Sequence, residues 1–295
     1  MLEVKLVLCP IDFSETSIRT YRHAISLAEH YRAKLVAQHI VELWRHPSAD
    51  FAASAEDFKR FERALREIGM EKLQEFVKKH THDEVQPELA VGEGIAPDSI
   101  LSIAQAQNAD VIVIGTHGQR GFDRLILGST TDRVMRRASC PVLVVPPHDS
   151  MVAGDELHQV RHLNRILFCA DFSENSEPAL SYAISVAAEY DAELTLLHVL
   201  EHLPNSVSAK DAMTTATVRL ENLLSPETRR KIRNTKTAVR IGKPYREIIQ
   251  LALELQTDLV SMGARGRGTL DIAVFGSTTY RVMQLGSCPV LAVHA

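Results

Sequence analysis

The sequence predicts an α/β protein of two tandem domains, each a parallel sheet with helices on both faces. Three observations support this fold class. Short apolar runs alternate with helical patterns, the whole pattern occurs twice in 295 residues, and each copy contains the same glycine spacing. Neighbouring parallel strands need a long crossover connection, which is usually a helix. Regular alternation of strand and helix signals therefore favours a parallel sheet in each half.

The elements of the first half follow from local patterns. A short apolar run at residues 5–9 is typical of a buried strand. Ser14 stands where an N-cap opens a helical pattern that continues to Ala28. The same criteria predict further strands at residues 35–41, 85–91, 111–114 and 142–145, and further helices at residues 51–80, 97–106 and 129–137.

The second half repeats the first. A shift of 159 positions places Asp12 on Asp171, and a shift of 148 places Gly128 on Gly276, so the second copy is shorter by the difference of 11 residues. Its strands are expected at residues 166–169, 194–200, 238–241, 259–262 and 290–293. A repeat of this length is a domain. We expect domains at residues 1–147 and 161–295, with a linker at residues 148–160.

Composition and charge exclude several classes of function. The net charge is −4 and neither half is basic, which argues against broad nucleic-acid binding. No apolar stretch approaches the ~18 residues of a membrane span, and no signal peptide is evident, so a cytoplasmic location is expected. The four cysteines form no Cys-x-x-Cys pair and are expected to be buried free thiols in a reducing compartment.

Each half contains a glycine-rich segment after its fourth strand. Two residues separate the first two glycines and nine precede the third, in Gly115, Gly118 and Gly128 and again in Gly263, Gly266 and Gly276. Backbone N–H groups at a helix start attract phosphate, and glycine lets the backbone approach it closely. Cations lie in or beside both segments, at Arg120, Arg124, Arg265 and Arg267. These features favour a phosphate site at the carboxyl ends of the strands. The alternative is that the glycines only shape turns and Ser129 only caps a helix.

An aspartate follows the first strand of each half, Asp12 in one and Asp171 in the other. Its carboxylate can accept hydrogen bonds from ribose hydroxyls, as in dinucleotide-binding folds. It can equally cap the following helix, where the dipole favours a negative charge. The residues alone leave both interpretations open. Neither a Walker A loop nor a Gly-x-Gly-x-x-Gly fingerprint matches the glycine spacing, so the segment belongs to neither of those classes.

These segments resemble the universal stress protein family in its tandem two-domain form. The resemblance rests on Pro10-x-Asp-Phe-Ser-Glu15, on Gly115-x2-Gly118-x9-Gly128-Ser129 and on Ser139-Cys-Pro-Val142, and it covers nearly the whole chain. It implies two Rossmann-like domains, each with a five-stranded parallel sheet in the order 3-2-1-4-5. It also implies the ATP-binding branch of the family.

The resemblance further implies which residues hold the nucleotide, which would be ATP, ADP or AMP, with Mg²⁺ as a candidate companion ion. In the first half Asp12 would contact the ribose or adenine beside Pro10, and Ile40 would offer backbone groups to the adenine. The phosphates would be surrounded by Gly115, His117, Gly118, Gly128, Ser129, Thr130 and Thr131. The matching positions of the second half are Asp171, Val199, Gly263, Arg265, Gly266, Gly276, Ser277, Thr278 and Thr279.

The two predicted sites differ at two positions. Cys169 stands where the first half has Pro10, and Arg265 stands where it has His117. Arginine carries a permanent charge, whereas histidine is largely neutral at neutral pH. Both halves are candidates for nucleotide binding, and this charge favours the second half if only one is occupied.

No dedicated catalytic group accompanies the glycine segments. Asp123 and Asp271 are interpreted as loop-shaping residues rather than bases. Residues 80–83 and 155–162 contain histidine and aspartate, but a zinc site usually needs three or four well-placed ligands. We therefore expect neither a metal site nor a catalytic residue, and at most a slow hydrolysis of ATP.

The expected function is that of a cytoplasmic, nucleotide-dependent regulator or sensor in the stress response. The alternatives are a nucleotide-free interaction scaffold and an adenylate-transferring enzyme of the same fold class. The resemblance also implies pairing through the last strands. We expect Val142–Val145 and Val290–Val293 to join the two halves as an internal pseudo-dimer, and an exposed strand edge also invites a second chain.

Overall fold

The structure is a computed structural model that describes residues 3–42, 55–81, 85–116, 127–147, 162–203, 208–265 and 276–294. Within these ranges the strands are β1 Leu6–Pro10, β2 Lys34–Val41, β3 Glu88–Glu93, β4 Val111–Gly115, β5 Val142–Val145, β6 Arg165–Cys169, β7 Glu193–Leu200, β8 Asn234–Ile241, β9 Leu259–Gly263 and β10 Val290–Val293. The α-helices are α1 Glu15–Tyr31, α2 Ala55–His80, α3 Ala96–Ala106, α4 Ser129–Arg137, α5 Glu177–Glu189, α6 Ala209–Asn222, α7 Pro226–Lys231, α8 Pro244–Glu254 and α9 Ser277–Leu285.

All ten strands form one sheet in the order β3-β2-β1-β4-β5-β10-β9-β6-β7-β8. Each half is parallel and has the predicted order 3-2-1-4-5. The halves meet where β5 and β10 pair antiparallel, with Leu143 opposite Leu291. The internal pairing expected of these last strands is therefore present. Pairing with a second chain stays a prediction.

Two strands, β3 and β8, differ from the sequence expectation by more than one residue at an end. The run at residues 85–91 predicts a strand that begins at Val85, but β3 begins at Glu88. Pro87 lies directly before it and has no N–H to donate to the ladder. In the second half the sequence predicts a strand from residue 238, but β8 begins at Asn234. Its first residues are polar or charged and form no apolar run, so the sequence pattern does not indicate them. The first residues of the expected helix at 51–80 lie outside the described residues.

The core lies on both faces of the sheet and is continuous between the halves. One buried cluster includes Tyr21 of α1 and Phe168 of β6, and the cluster on the other face includes Met135 of α4 and Met283 of α9. Leu143 and Leu291 at the junction are 5% and 7% exposed. Burial of a large aliphatic side chain contributes about 1.5–3 kcal/mol. The two halves are therefore joined by a hydrophobic core as well as by strand pairing.

The cysteines are free thiols, and three of them are buried as expected: Cys9, Cys169 and Cys288. Cys140 is only half-buried, since it lies in the loop before β5. Burial still raises the pKa of the Cys140 thiol to about 11. In the part of the chain that the structure describes, every helix is too short or too polar to cross a membrane.

Candidate functional site

The candidate site of each half lies where the strands end at their carboxyl edge. In the first half β1 ends at Pro10 and β4 at Gly115, and α4 begins soon after at Ser129. The second half repeats this arrangement with Cys169, Gly263 and Ser277 at the corresponding ends. This edge is where open parallel sheets bind ligands.

The same pair of hydrogen bonds closes the glycine segment in both halves. In the first half the Gly128 N–H donates to the Thr116 carbonyl at 2.8 Å, and the Thr131 hydroxyl donates to the Gly115 carbonyl at 2.6 Å. The second half has Gly276 N–H to the Ala264 carbonyl at 3.0 Å and the Thr279 hydroxyl to the Gly263 carbonyl at 3.0 Å. These bonds hold the start of α4 or α9 against the end of its strand. We call each closed unit a cradle.

The hydroxyls of Thr131 and Thr279 are therefore structural. Each residue is 3% exposed, and its hydroxyl proton is used on a backbone carbonyl. Their backbone N–H groups are left to serve the predicted phosphate role. By contrast, Ser129 and Ser277 are exposed at the first turn, and Thr130 and Thr278 are half-buried.

The helix that leaves each cradle has no side-chain cap. Gly128 and Gly276 are the N-cap residues of α4 and α9, and neither has a side chain that could accept the first-turn N–H groups. Such N–H groups carry the positive end of the helix dipole. Each cradle therefore presents backbone donors suited to an anion.

A strained turn precedes the first helix of each half. Phe13 has φ 65° and Phe172 has φ 58°, in the left-handed region that bulky residues rarely adopt. Before each phenylalanine an aspartate organises the turn: Asp12 Oδ1 accepts from the Ser14 N–H at 3.1 Å, and Asp171 Oδ1 accepts from the Ser173 N–H at 3.0 Å. Strain of this kind costs about 1–3 kcal/mol and concentrates at functional sites.

The turn refines the two interpretations of the aspartate in the first half. Ser14 is the N-cap of α1, as predicted, because its hydroxyl oxygen accepts from the Ser17 N–H. Asp12 instead holds both hydroxyls of this turn, accepting from Ser14 Oγ at 2.7 Å and also from Ser17 Oγ. Ser14 rather than Asp12 therefore caps α1. A ribose contact by Asp12 stays a prediction.

A histidine supports this turn in both halves. His39 Nδ1 lies 2.9 Å from the Ile11 carbonyl, and its ring lies 4.4 Å from that of Phe13. His198 makes the same two contacts, with the Ala170 carbonyl at 2.7 Å and the Phe172 ring at 4.4 Å. Burial lowers the pKa of His39, while the Ile11 carbonyl and the Asp12 charge raise it. The sequence showed these histidines only as matching positions of the repeat.

The second cradle has a wall that the first half builds differently. A short 3-10 helix at Glu174–Ser176 precedes α5, and the Asn175 carbonyl lies 2.8 Å from where a Cβ on Gly263 would stand. Gly263 is therefore required by close backbone approach. In the first half α1 begins directly at Glu15.

Arg265 at the second cradle adjoins a contact between the halves. His294, just after β10, donates through Nε2 to the Met135 carbonyl of α4 at 2.6 Å. Burial lowers the pKa of His294, and the Arg265 charge lowers it further. The carbonyls of Met135 and Cys140 oppose this shift. His294 thus connects the end of the second half to α4, the helix that begins at the first cradle.

The structure brings most of the predicted site residues together at these two edges. Ile40 and Val199 are half-buried near the ends of β2 and β7. Several predicted residues lie outside the described residues: His117, Gly118, Arg120, Asp123, Arg124, Gly266, Arg267 and Asp271. The predicted contrast between His117 and Arg265 therefore stays a prediction.

Among the described residues, no three histidine, cysteine, aspartate or glutamate side chains are grouped so as to hold an ion. His82, Asp83, Asp155 and His158 of the two sequence candidates lie outside those residues.

Fold and site together define a tandem α/β protein in which an uncapped helix begins at the cradle of each half. The model of the universal stress protein family matches residues 3–146 and 162–294. The chain therefore belongs to the universal stress protein family, and each half is a Rossmann-like domain as predicted.

Individual relatives agree with this assignment. The chain is 33% identical over 141 residues to universal stress protein MJ0531 of Methanocaldococcus jannaschii, which covers 48% of this chain and 81% of that protein. It is 27% identical over 194 residues to universal stress protein Rv2005c of Mycobacterium tuberculosis, covering 64% of this chain and 63% of that protein. Among solved structures, a universal stress protein from Archaeoglobus fulgidus matches with a TM-score of 0.68 at 19% identity, covering 98% of this chain and 96% of that one. This last likeness concerns the fold.

Proposed function

We propose that the protein binds ATP, or a closely related adenine nucleotide, in its cradles and acts as a nucleotide-dependent regulator or sensor in the cytoplasm. The observation that carries this proposal is the repeated closure of the cradle. Gly128 and Gly276 both anchor an uncapped helix start to the end of the fourth strand of their half. A duplicated anion site on a family member with the ATP-type glycine spacing supports a phosphate ligand.

The proposed pose extends from the phosphates to the base along the sheet edge. Phosphates face the first turn of α4 or α9, where exposed Ser129 or Ser277 adds a hydroxyl donor. The ribose lies by the aspartate turn, whose carboxylate is oriented by its serine donors. The adenine lies beyond it, beside the backbone of Ile40 or Val199. Mg²⁺ is proposed only as a companion of the phosphates.

The groups of the aspartate turn before α1 favour binding over catalysis. A general base needs a lone pair positioned at the reacting water. Asp12 Oδ1 accepts three hydrogen bonds within its own turn. His39 Nδ1 is occupied by the Ile11 carbonyl. Asp12 Oδ1 and His39 Nδ1 are therefore held in structural contacts, and we expect hydrolysis of ATP to be slow.

Calorimetric titration of ATP into the full chain tests the proposal. Two sites per chain are expected. Gly128 has φ −54° and ψ 140°, and Gly276 has φ −62° and ψ 125°, which alanine also adopts. Gly128→Ala and Gly276→Ala therefore add a methyl group to the cradle without backbone strain, and each should remove one site.

Leu253→Ala serves as the control, because Leu253 is 59% exposed near the end of α8. Absence of ATP binding at millimolar concentration would contradict the proposal and support the scaffold alternative. Phosphate release over a long incubation separates the sensor from an ATPase, since rapid turnover would make the protein an enzyme.

A further inference from the structure

A cationic and aromatic cluster lies between α8 and α9 in the second half. The Arg281 guanidinium carbon lies 4.9 Å from the centre of the Tyr245 ring, and that of Arg246 lies 5.8 Å from it. Arg246 Nε also donates to the Tyr245 hydroxyl oxygen at 3.1 Å. Both arginines are exposed. We call Tyr245, Arg246 and Arg281 the Tyr245 cluster.

The positive charge of the Tyr245 cluster is not balanced by a carboxylate within the described residues. Among these residues neither arginine has an acidic side chain within ion-pair distance. The neighbouring Glu247 is directed at the Gly242 turn, where its Oε1 lies 2.7 Å from the position of a Cβ on that glycine. The hydrogen bond from Arg246 and the charges of both arginines lower the pKa of the Tyr245 hydroxyl. The local potential is therefore positive.

The first half has a different arrangement at the same positions. The shift of 148 places Tyr245 on Pro97 and Arg246 on Asp98. Asp98 forms an ion pair with Arg137 of α4. A compensated pair in one half and two uncompensated arginines in the other show that the fold does not require the Tyr245 cluster.

The Tyr245 cluster lies beside the second cradle. Arg281 follows Ser277 by four residues on α9, so the two side chains share a helix face, about 6 Å apart along the axis. α8 begins at Pro244, just before Tyr245, and its positive dipole end adds to the field of the arginines. A ligand in the second cradle and an anion at the Tyr245 cluster would therefore be neighbours.

We propose that the Tyr245 cluster is a phosphate-binding site, distinct from the cradle beside it. A guanidinium offers parallel donors that match a phosphate, and two arginines beside one ring place two such groups close together. The Tyr245 hydroxyl accepts from Arg246, so its own proton is available for a phosphate oxygen. The ligand is a phosphorylated small molecule, either a separate anion or a nucleotide with a phosphate group beyond those in the cradle.

Fluorine NMR of the full chain labelled with 3-fluorotyrosine tests this proposal. The chain has six tyrosines, and Tyr245→Phe identifies the resonance in question. Inorganic pyrophosphate should shift the Tyr245 resonance to saturation, whereas sodium chloride of equal ionic strength should not. Arg246→Ala and Arg281→Ala should each weaken the response about tenfold, since each removes charged hydrogen bonds to the anion.

Arg133→Ala is the matched control, because Arg133 occupies the position of Arg281 in the first half. It should leave the response unchanged. The proposed site would be contradicted if pyrophosphate did not shift the Tyr245 resonance, or if sodium chloride shifted it equally. A parallel titration with ATP separates the two ligand sources, because a shift with ATP assigns the phosphate to a nucleotide and a shift with pyrophosphate alone assigns it to a separate anion.

The same experiment keeps this site apart from the proposed nucleotide function. A pyrophosphate response in a protein that shows no calorimetric ATP binding would retain the Tyr245 cluster and overturn the nucleotide proposal. Calorimetric ATP binding without any response of the Tyr245 resonance to either ligand would do the reverse.

Discussion

The two halves of the protein share a backbone framework and differ in the side chains around it. The cradle hydrogen bonds of Gly128 recur at Gly276, and the left-handed turn at Phe13 recurs at Phe172. The surroundings differ: a single 26-residue α2 in one half corresponds to the shorter α6 and α7 in the other. Main-chain geometry therefore defines the common cradle, and the halves differ in the side chains around it.

The difference is clearest at the rim formed by α3 and α4 in the first half and by α8 and α9 in the second. Asp98 and Arg137 neutralise each other beside the first cradle, whereas Arg246 and Arg281 share a tyrosine beside the second. An anionic ligand should distinguish the halves there, even though both cradles present the same backbone donors.

The largest effect is expected at the junction that makes the two halves one body. Leu143→Ala removes a side chain that is 5% exposed and lies opposite Leu291. We expect the free energy of unfolding to fall by about 2–5 kcal/mol. The core is continuous across the junction, so urea unfolding followed by circular dichroism should still show one transition at a lower midpoint. Leu253→Ala, at a 59% exposed position, should change little.

If Leu143→Ala instead split the curve into two transitions, with one midpoint unchanged, the halves would be independent domains that only touch. The two halves would then unfold as two separate proteins within one chain.

The next effect tests the wall of the second cradle. Gly263→Ala places a Cβ 2.8 Å from the Asn175 carbonyl and 3.1 Å from that of Arg265. Backbone must move, and we expect a loss of about 1–3 kcal/mol in the free energy of unfolding. Gly115→Ala in the first half should cost less, because α1 begins without a 3-10 turn. Urea unfolding measures both variants. Equal losses in the free energy of unfolding would contradict the expected difference between the halves.

A smaller and equal effect is expected from the threonines that close the cradles. Thr131→Val and Thr279→Val keep the shape of the side chain but leave the Gly115 or Gly263 carbonyl without its hydroxyl donor. Each should cost about 1 kcal/mol in the free energy of unfolding and weaken the ligand site of its own half only. Calorimetry with ATP on each variant measures the second effect. A variant that weakened both sites equally would show that the cradles are coupled.

Periodicity and repeat spacing were enough to predict most of the strands and helices, and the family resemblance supplied the strand order. The apolar runs gave β5 and the helical pattern gave α4 with the bounds that the structure has. The cap at Ser14 also followed from the local sequence. The start of β3 was wrong by three residues, because the apolar run at Val85 continued through a proline that cannot join the ladder.

The site was predictable as far as its residues are close in sequence. The glycine spacing located both cradles, but the link between His39 and the Ile11 carbonyl joins residues 28 positions apart. Similarly, Tyr245 meets Arg281 only because the sheet brings α8 and α9 together. Neither contact has a local sequence signal, since both depend on tertiary packing.

The smallest predicted effect concerns His294, whose imidazole contacts α4 of the other half. Burial and the Arg265 charge lower the pKa of His294 below its usual 6.5. The unfolded chain then binds more protons than the native state as pH falls through this region, so this group makes the protein less stable towards acid.

His294→Gln keeps a donor for the Met135 carbonyl but does not titrate. Urea unfolding at neutral pH and at pH about 5 should therefore show a smaller loss of stability in the variant than in the original protein. Part of the loss should persist, because burial also lowers the pKa of His30, His39 and His80. An unchanged pH dependence in His294→Gln would mean that this contact between the halves does not sense protonation.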